Sequence, residues 1–414
     1  MKLIILENWM IALIIIAVVL VLAFIVFLGL CFTKYERYPV SEVYKKYCFY
    51  IPARNEASVI ARIIKSIQAL DYPQDKITIY VLANNCHPDD DTAKIARSLG
   101  VEVFELQDSN VNRVGQVLER FFTFIKEKYG GYDAFDGYLR LDADNTLDPN
   151  YLKRLNDAFI KHPTVVVSYR ACTTFNGART SLSSILVAAA MMAFRLFSSL
   201  RFNPMITGPG ILISSEVITK MDGWHLTTLS EDMELSVFLV KAKIRSHFAH
   251  EAIFYDEQVG TFKLLFRQRL RWTKGTNQCF HKYWFLMIKR IFSKMGFSAL
   301  FLAIGLFPMG FIAILSTLGF GIYATVMTVI SGTYDPLISF MIITLILNIV
   351  PGWLVASLTF FVERKRIKDV KWYQKIYYIL IFPVSLFLYS LADFVGHFIK
   401  VKWKAIPHGE KIKS

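Results

Sequence analysis

Tyr138-Leu139-Arg140-Leu141 is a short β-forming run, and it delivers two carboxylates, Asp142 and Asp144, at its carboxyl end. Side chains two apart on a strand share a face, so a strand over Tyr138 to Leu141 presents both acids together. Two carboxylates there suit a hard cation such as Mg2+ or Mn2+, although a D-x-D also occurs in loops and helix caps. The same punctuation repeats outward along the chain. Short β-rich runs at Cys48 to Ile51, Ile77 to Leu82, Val101 to Glu105 and Val165 to Tyr169 alternate with amphipathic stretches at Ala57 to Leu70, Asp89 to Leu99 and Val114 to Lys128. That alternation predicts an α/β domain over residues 45–260, with a mostly parallel, Rossmann-like sheet whose ligands bind at the strand carboxyl ends.

The remainder of the chain has another character. Of the 414 residues, 54% are hydrophobic, too many for one ordinary soluble domain, yet 19% are charged, so a soluble part and an α-helical membrane part coexist. Met10 to Cys31 is an uncharged apolar run of about 22 residues, enough to cross a bilayer, which makes residues 1–37 an anchor. Lys34, Arg37, Lys45 and Lys46 follow it and place the α/β domain on the cytoplasmic side of an integral plasma-membrane protein. Ser181 to Phe194 is apolar but too short to span, and reads as a buried or interfacial helix. Residues 261–294 mix aromatics with Lys and Arg and are expected on the inner membrane surface. Residues 295–414 hold the apolar segments Gly296 to Ile330, Leu337 to Val362 and Ile376 to Ile399, then a basic tail. Three passes would leave that tail outside, against the positive-inside rule. Either Gly296 to Ile330, long for one helix and broken by Pro308 and several glycines, holds two passes, or the last segment, around Pro383, is re-entrant. The first option would put the basic Glu363 to Lys375 outside, which favours the second. The net charge of +14 gathers beside these runs and points to anionic headgroups, not nucleic acid. Five scattered cysteines suggest neither a disulfide framework nor a zinc site.

Two further clusters carry chemistry. Ser230-Glu231-Asp232 follows the glycine-rich Thr207-Gly208-Pro209-Gly210. Its acids, Asp232 first and Glu231 beside it, are candidates to take a proton from an attacking hydroxyl. The same residues also suit an N-cap and first turn of a helix over Met233 to Lys241. Gln268-Arg269-Leu270-Arg271-Trp272 puts Gln268, Arg271 and Trp272 on one helical side, where an amide, a cation and a flat indole can meet a diphosphate and a sugar ring. A basic amphipathic helix at the headgroups would show the same pattern.

Taken in order, these elements resemble the processive, membrane-bound family 2 glycosyltransferases, among them the cellulose, chitin, hyaluronan and poly-N-acetylglucosamine synthases. The likeness rests on the opening strand Tyr50-Ile51-Pro52-Ala53-Arg54-Asn55-Glu56, the D-x-D, the S-E-D, the Q-x-x-R-W and the flanking apolar segments. It implies a GT-A fold and inverting, metal-dependent transfer from a nucleotide sugar, expected to be a UDP-sugar, to a growing glycan exported through the membrane part. Ala53, Arg54, Glu56 and Asn84 would face the nucleoside, Asp142 and Asp144 would hold nucleotide and Mg2+ or Mn2+, and Asp232 would be the base. Arg271 would contact the donor diphosphate, while Gln268, Trp272, Gly208 and Gly210 would border the acceptor.

Two positions depart from the family's pattern. Asn84 stands where an Asp usually contacts the base, and Val114 occupies the usual lysine position, with Arg113 beside it as a substitute or simply a helix start. The tail Val401 to His408 resembles the family's gating segment in position, and equally a Trp-anchored membrane exit. A single-addition enzyme acting on a lipid-linked or cell-wall acceptor shares the chemistry. A nucleotide-binding transport or scaffold protein is the reading from another class, disfavoured because the apolar segments hold few charges beyond Asp393 and His397.

Overall fold

The computed structural model describes residues 36–172, 178–259, 261–367 and 370–399, without the side chains of residues 178–181. The expected anchor span Met10 to Cys31 and the tail Val401 to His408 lie outside the described residues.

The elements run β1 (Tyr47–Ala53), α1 (Ile60–Gln68), β2 (Ile77–Asn84), α2 (Thr92–Ser98), β3 (Glu102–Leu106), α3 (Val114–Tyr129), β4 (Gly137–Arg140) and β5 (Thr146–Leu147). There follow α4 (Tyr151–Lys161), β6 (Val165–Cys172), α5 (Ala178–Ser199), β7 (Ile211–Ser214), α6 (Ser215–Met221), α7 (Glu231–Ala242) and β8 (Ser246–Asp256). The eight strands form one sheet in the order β3-β2-β1-β4-β7-β6-β8-β5. Strands β3, β2, β1 and β4 are parallel, as the βα alternation predicts. Beyond β4 the sheet turns mixed, because β7 pairs antiparallel with both β4 and β6, and β5 pairs antiparallel with β8. Strands β6 and β8 pair parallel again, so four of the seven pairings are parallel and the expected mostly parallel sheet holds, with β7 and β5 as its antiparallel members. Strand β7 is four residues long and buried throughout, too short to show a period in the sequence.

Helices cover both faces, so the central strands are apolar on both sides; β1 is buried along nearly its whole length. On one face α3 places Val117, Leu118, Phe121, Phe122 and Ile125 inward at helical spacing, with the Phe122 ring stacked 5.9 Å from Trp224, and Gly130 at φ 75° ends the helix. On the other, α1 buries Ile60, Ile63, Ile64 and Ile67 beside Tyr151 and Leu155 of α4. Each such side chain contributes about 1.5–3 kcal/mol of burial. Cys48, Cys86, Cys172 and Cys279 are free thiols.

Helix α8 (Phe262–Arg290) follows, and then α9 (Gly296–Leu306), α10 (Met309–Ser331), α11 (Asp335–Val362) and α12 (Trp372–Phe398). Among the described residues, four helices are long and apolar enough to cross a membrane, namely α5, α10, α11 and α12. They differ in partnership. More than half of the apolar window of α5, 56%, is buried within the protein, against 6% for α10 and for α11. At 22 residues α5 is longer than expected, yet it packs on β6 and β8 and also on α11 and α12, and so joins the sheet to the membrane part.

Gly296 to Ile330 breaks at Pro308, as its length and that proline suggest, into the 11-residue α9, packed on α7 and α8, and the 23-residue α10. The last segment does not break at Pro383: α12 is a continuous helix of 27 residues, with the Pro383 ring accommodated against Gly352 of α11. Its later turns lie against α8, where Thr273 Oγ1 donates to Ala392 O and Lys274 Nζ to Gly396 O at 3.0 Å. Asp393, buried in α12, accepts the Phe311 amide at 3.0 Å, and His397 lies within hydrogen-bond distance of Asn277 at 3.2 Å. These two polar residues are thereby tied into helix packing.

Candidate active site

The carboxyl ends of β1, β2 and β4 lie side by side, with Ala53 paired to Ala83 and Tyr50 to Arg140, so the residues after each strand share one edge of the sheet. Ala53 closes β1, and Arg54, Asn55 and Glu56 follow, Asn55 at φ 60° with its side chain accepting the His87 amide. Asn84 ends β2, is buried, and donates from Nδ2 to Val111 O at 3.3 Å, while its Oδ1 has no partner among the described residues. A buried carbonyl without a donor costs free energy, and an incoming N–H would relieve that cost. Burial, with Asp142 and Asp90 nearby, pushes Glu56 up to about 8.

Strand β4 stops at Arg140, so Asp142 and Asp144 do not share a strand face as expected. They occupy a turn in which Asn145 N donates to Asp142 O at 3.1 Å and Asp142 N to Asn145 Oδ1 at 3.0 Å. The Asp142 side chain is 39% exposed and opens outward, whereas Asp144 is buried. Burial and the neighbouring Asp256 and Asp142 raise the Asp144 pKa, with Arg170 opposing them. Asn145 Nδ2 bonds both Asp144 and Asp256, and Arg170 pairs with Asp256 at 2.6 Å. This excess of carboxylate oxygen over cation fits a hard divalent ion such as Mg2+ or Mn2+, whose charge would keep Asp144 ionised. The open side of Asp142 leaves room for phosphate or water oxygens.

A geometric Glu–His–His triad, Glu36, His162 and His247, lies elsewhere, beside a concavity of about 450 Å3 also lined by Arg201 and Arg245. Despite burial, bonds from Lys161 and His162 hold Glu36 down at about 2, and the two imidazoles stack 3.6 Å apart at 3°. Parallel rings direct their in-plane lone pairs along separate planes, and the surrounding cations oppose another positive charge. This cluster is a weaker metal site than the D-x-D turn.

Across the edge stands the amino end of α7. Ser230 precedes it, but its hydroxyl makes no cap bond and instead lies 3.5 Å from Trp272 O. Gly275 of α8 makes that approach possible, because a Cβ there would sit 2.0 Å from Ser230 Oγ. Glu231 is ion-paired with Arg140 at 2.8 Å, both buried, and Arg140 Nε is 3.8 Å from Asp142. Arg140 therefore bridges the D-x-D turn and the S-E-D turn. Glu231 is engaged by Arg140, whereas Asp232 has no ion pair among the described residues. Burial and Glu231 push it up to about 6, while Arg140, the Met233 amide and Arg271 of α8 pull it back.

Gly208, at φ 97°, has its Cβ direction 3.9 Å from Asp232 Oδ2 and borders the same space. Gly210, at φ 80°, is also required by packing, since a Cβ would lie 2.3 Å from Phe254 and 2.4 Å from Ser168. On α8, Gln268 Oε1 is buried without a partner, and Trp272 is half-buried beneath the Arg269 guanidinium at 4.4 Å. Arg113 donates to Thr227 O at 3.0 Å, steadying the loop before Ser230.

Sequence reasoning missed Arg140, Asn145, Arg170, Asp256 and Gln258 as site residues. Arg140 and Asn145 were discoverable as the polar flanks of the D-x-D, and Asp256 as the acid ending an apolar β run. Arg170 carried no signal of its own.

The Glycosyl transferase family group 2 model matches residues 139–362, and that of Glycosyl transferase family 2 matches residues 48–220. The first covers more than half of the chain, and the chain belongs to this family of glycosyltransferases. The chain is similar to the probable glycosyltransferase YdaM of Bacillus subtilis, 25% identical over 56% of this chain and 56% of that protein. It is also similar to the beta-monoglucosyldiacylglycerol synthase of Synechocystis, 24% identical over 58% of this chain and 50% of that one. The cellulose synthase catalytic subunit [UDP-forming] of Pseudomonas fluorescens is 24% identical, with 60% of this chain and 32% of its own length covered. The chain thus spans about half or less of the curated relatives it matches. The mannosyltransferase PcManGT from Pyrobaculum calidifontis, solved with GDP-Man and Mn2+, superposes with a TM-score of 0.53 over 92% of this chain and 95% of its own, at 12% identity. The soluble fold is GT-A.

Proposed function

We propose that this glycosyltransferase moves a sugar, with inversion, from a UDP-sugar to the end of a growing glycan at the cytoplasmic membrane face, and retains the product for further additions. The observation that carries it is the Arg140 bridge, which draws the D-x-D turn and the Ser230–Asp232 turn into one cleft, with Trp272 joined to the second turn through Ser230. This contact supports a donor-holding wall and a proton acceptor on opposite sides of the same site.

In this reading Ala53, Arg54, Glu56 and Asn84 hold the nucleoside, the free Asn84 Oδ1 taking the base N–H. Asp142 and Asp144 hold a Mg2+ or Mn2+ ion. Bound there, the ion neutralises charge on the departing nucleoside diphosphate. Arg271 shares that load. Asp232 takes the acceptor hydroxyl proton as the oxygen attacks the anomeric carbon from the face opposite the leaving group, and Trp272 and Gln268 orient the acceptor sugar. Glu231 keeps Arg140 in place.

A second reading, one addition to a lipid acceptor, is favoured by the similarity to a monoglucosyldiacylglycerol synthase and by the small number of apolar helices packed beside α8. Incubation with labelled UDP-sugars in membranes, followed by sizing of the product, separates the two. A ladder supports elongation and a single labelled lipid supports the second reading. Absence of nucleotide diphosphate release with every donor tested, with Mn2+ present, overturns both.

A further inference from the structure

Arg269 lies in the Gln268 to Trp272 stretch, at a position outside the motif's own residues. It is 5% exposed, and no salt bridge reaches it from any described residue. A buried cation without a counter-charge is costly and persists where the surroundings use it. Burial lowers its pKa to about 10, so it remains charged at neutral pH. Its guanidinium carbon sits 4.4 Å from the Trp272 ring centroid and 5.7 Å from that of Tyr389 on α12. The cation thus covers one indole face, so a ligand stacking on Trp272 would take the other.

The same guanidinium begins a polar chain. Arg269 Nη2 donates to Ser183 Oγ at 3.4 Å, and Ser183 donates to Gln258 Oε1. Gln258 Nε2 donates to Asp256, whose other oxygen accepts from Asn145 at 2.9 Å, and Asn145 bonds Asp144 at 3.1 Å. The chain crosses α8, α5 and β8 and ends in the D-x-D turn.

We propose that Arg269 is a positioning residue that fixes Trp272 as the acceptor platform and ties it to α12 through Tyr389, with the Ser183 end of the polar chain holding the guanidinium in place. The proposal rests on Trp272 contacting the acceptor. A planar guanidinium suits this place because it stacks on two rings while donating in its own plane.

The test measures kcat and KM for acceptor and donor in the full-length, membrane-embedded enzyme. Arg269→Met raises acceptor KM about tenfold and leaves donor KM within about twofold, since misplacing an orienting group weakens one substrate's contacts selectively. Arg269→Lys, which keeps a cation at the ring, recovers a large part of the loss. Tyr389→Leu leaves the charge intact and raises acceptor KM about threefold, which keeps the idea testable should the methionine variant not fold. Equal rises in both KM values, no advantage of lysine over methionine, or an unchanged acceptor KM in folded Tyr389→Leu each overturn the proposal. Trp272→Ala separates it from its premise. If that variant leaves acceptor KM unchanged, the role of Trp272 falls and this proposal with it; if acceptor KM rises there but not in Arg269→Met, this proposal alone falls.

Discussion

The two sides of the cleft are built in different ways. On the β1, β2, β4 side, parallel strands deliver Ala53, Asn84 and the D-x-D turn at their carboxyl ends, so each residue's place follows from where its own strand stops. On the α7 and α8 side nothing is local: Asp232 reaches the cleft because Glu231 pairs with an arginine 91 residues away, and Trp272 because Gly275 lets one helix pack onto the Ser230 turn. Strand-end residues are cheap to position and depend on the sheet alone, whereas the opposite wall depends on a few close contacts. Substitutions on the first side should alter donor and metal binding, and those on the second should alter turnover, acceptor use and stability together.

The sharpest test of this division is Asp232→Asn, expected to lower kcat by about 10²–10⁴-fold while donor KM stays within about twofold. Turnover near wild type in that variant would remove the base from the second wall. Asp144→Asn should behave oppositely, with activity down about a hundredfold and partly restored by raising Mn2+, because one anionic ligand is lost. A loss insensitive to Mn2+ concentration would contradict the metal reading.

The acid limb of the pH–kcat profile reads the second wall directly. Asp232 carries a pKa raised to about 6, set by burial and Glu231 on its own helix and opposed by Arg140 of β4 and Arg271 of α8. Its ionised form is the competent one, so kcat should be level above about 7 and fall about tenfold per pH unit below the pKa. A profile flat down to pH 5 would exclude it. Glu231→Gln should destabilise by about 1–3 kcal/mol, since it leaves the buried Arg140 charge uncompensated, with kcat falling about tenfold as Asp232 shifts. Thermal melts and kinetics on one preparation check both effects. Gly275→Val, smallest in chemistry, should cost about 1–3 kcal/mol by overpacking against Ser230 while leaving donor KM unchanged.

How much was legible follows the same line. The βα alternation gave the parallel half of the sheet because period-2 and period-3.6 patterns are local properties. The antiparallel β7 and the two-residue β5 were not legible, since strands so short and so buried carry no alternation, and their pairing is decided across the sheet. The D-x-D was found, but its placement in a turn depends on Asn145 closing that turn. Pro383 suggested a break that the packing of α11 against α12 removed. The packing demand on Gly210, set by Phe254 and Ser168, was not legible either, because both partners are distant in the chain.

Residue type and spacing alone determined the fold class, the apolar helices and the candidate reacting groups, because backbone propensity, burial and acid–base character belong to short stretches of chain. Which of the two acids is ion-paired, and which cation stacks on Trp272, were decided only in three dimensions. Those outcomes depend on Arg140, Gly275 and Arg269 meeting partners far away in the chain, and pairing over such separations is set by how the whole sheet and its helices pack.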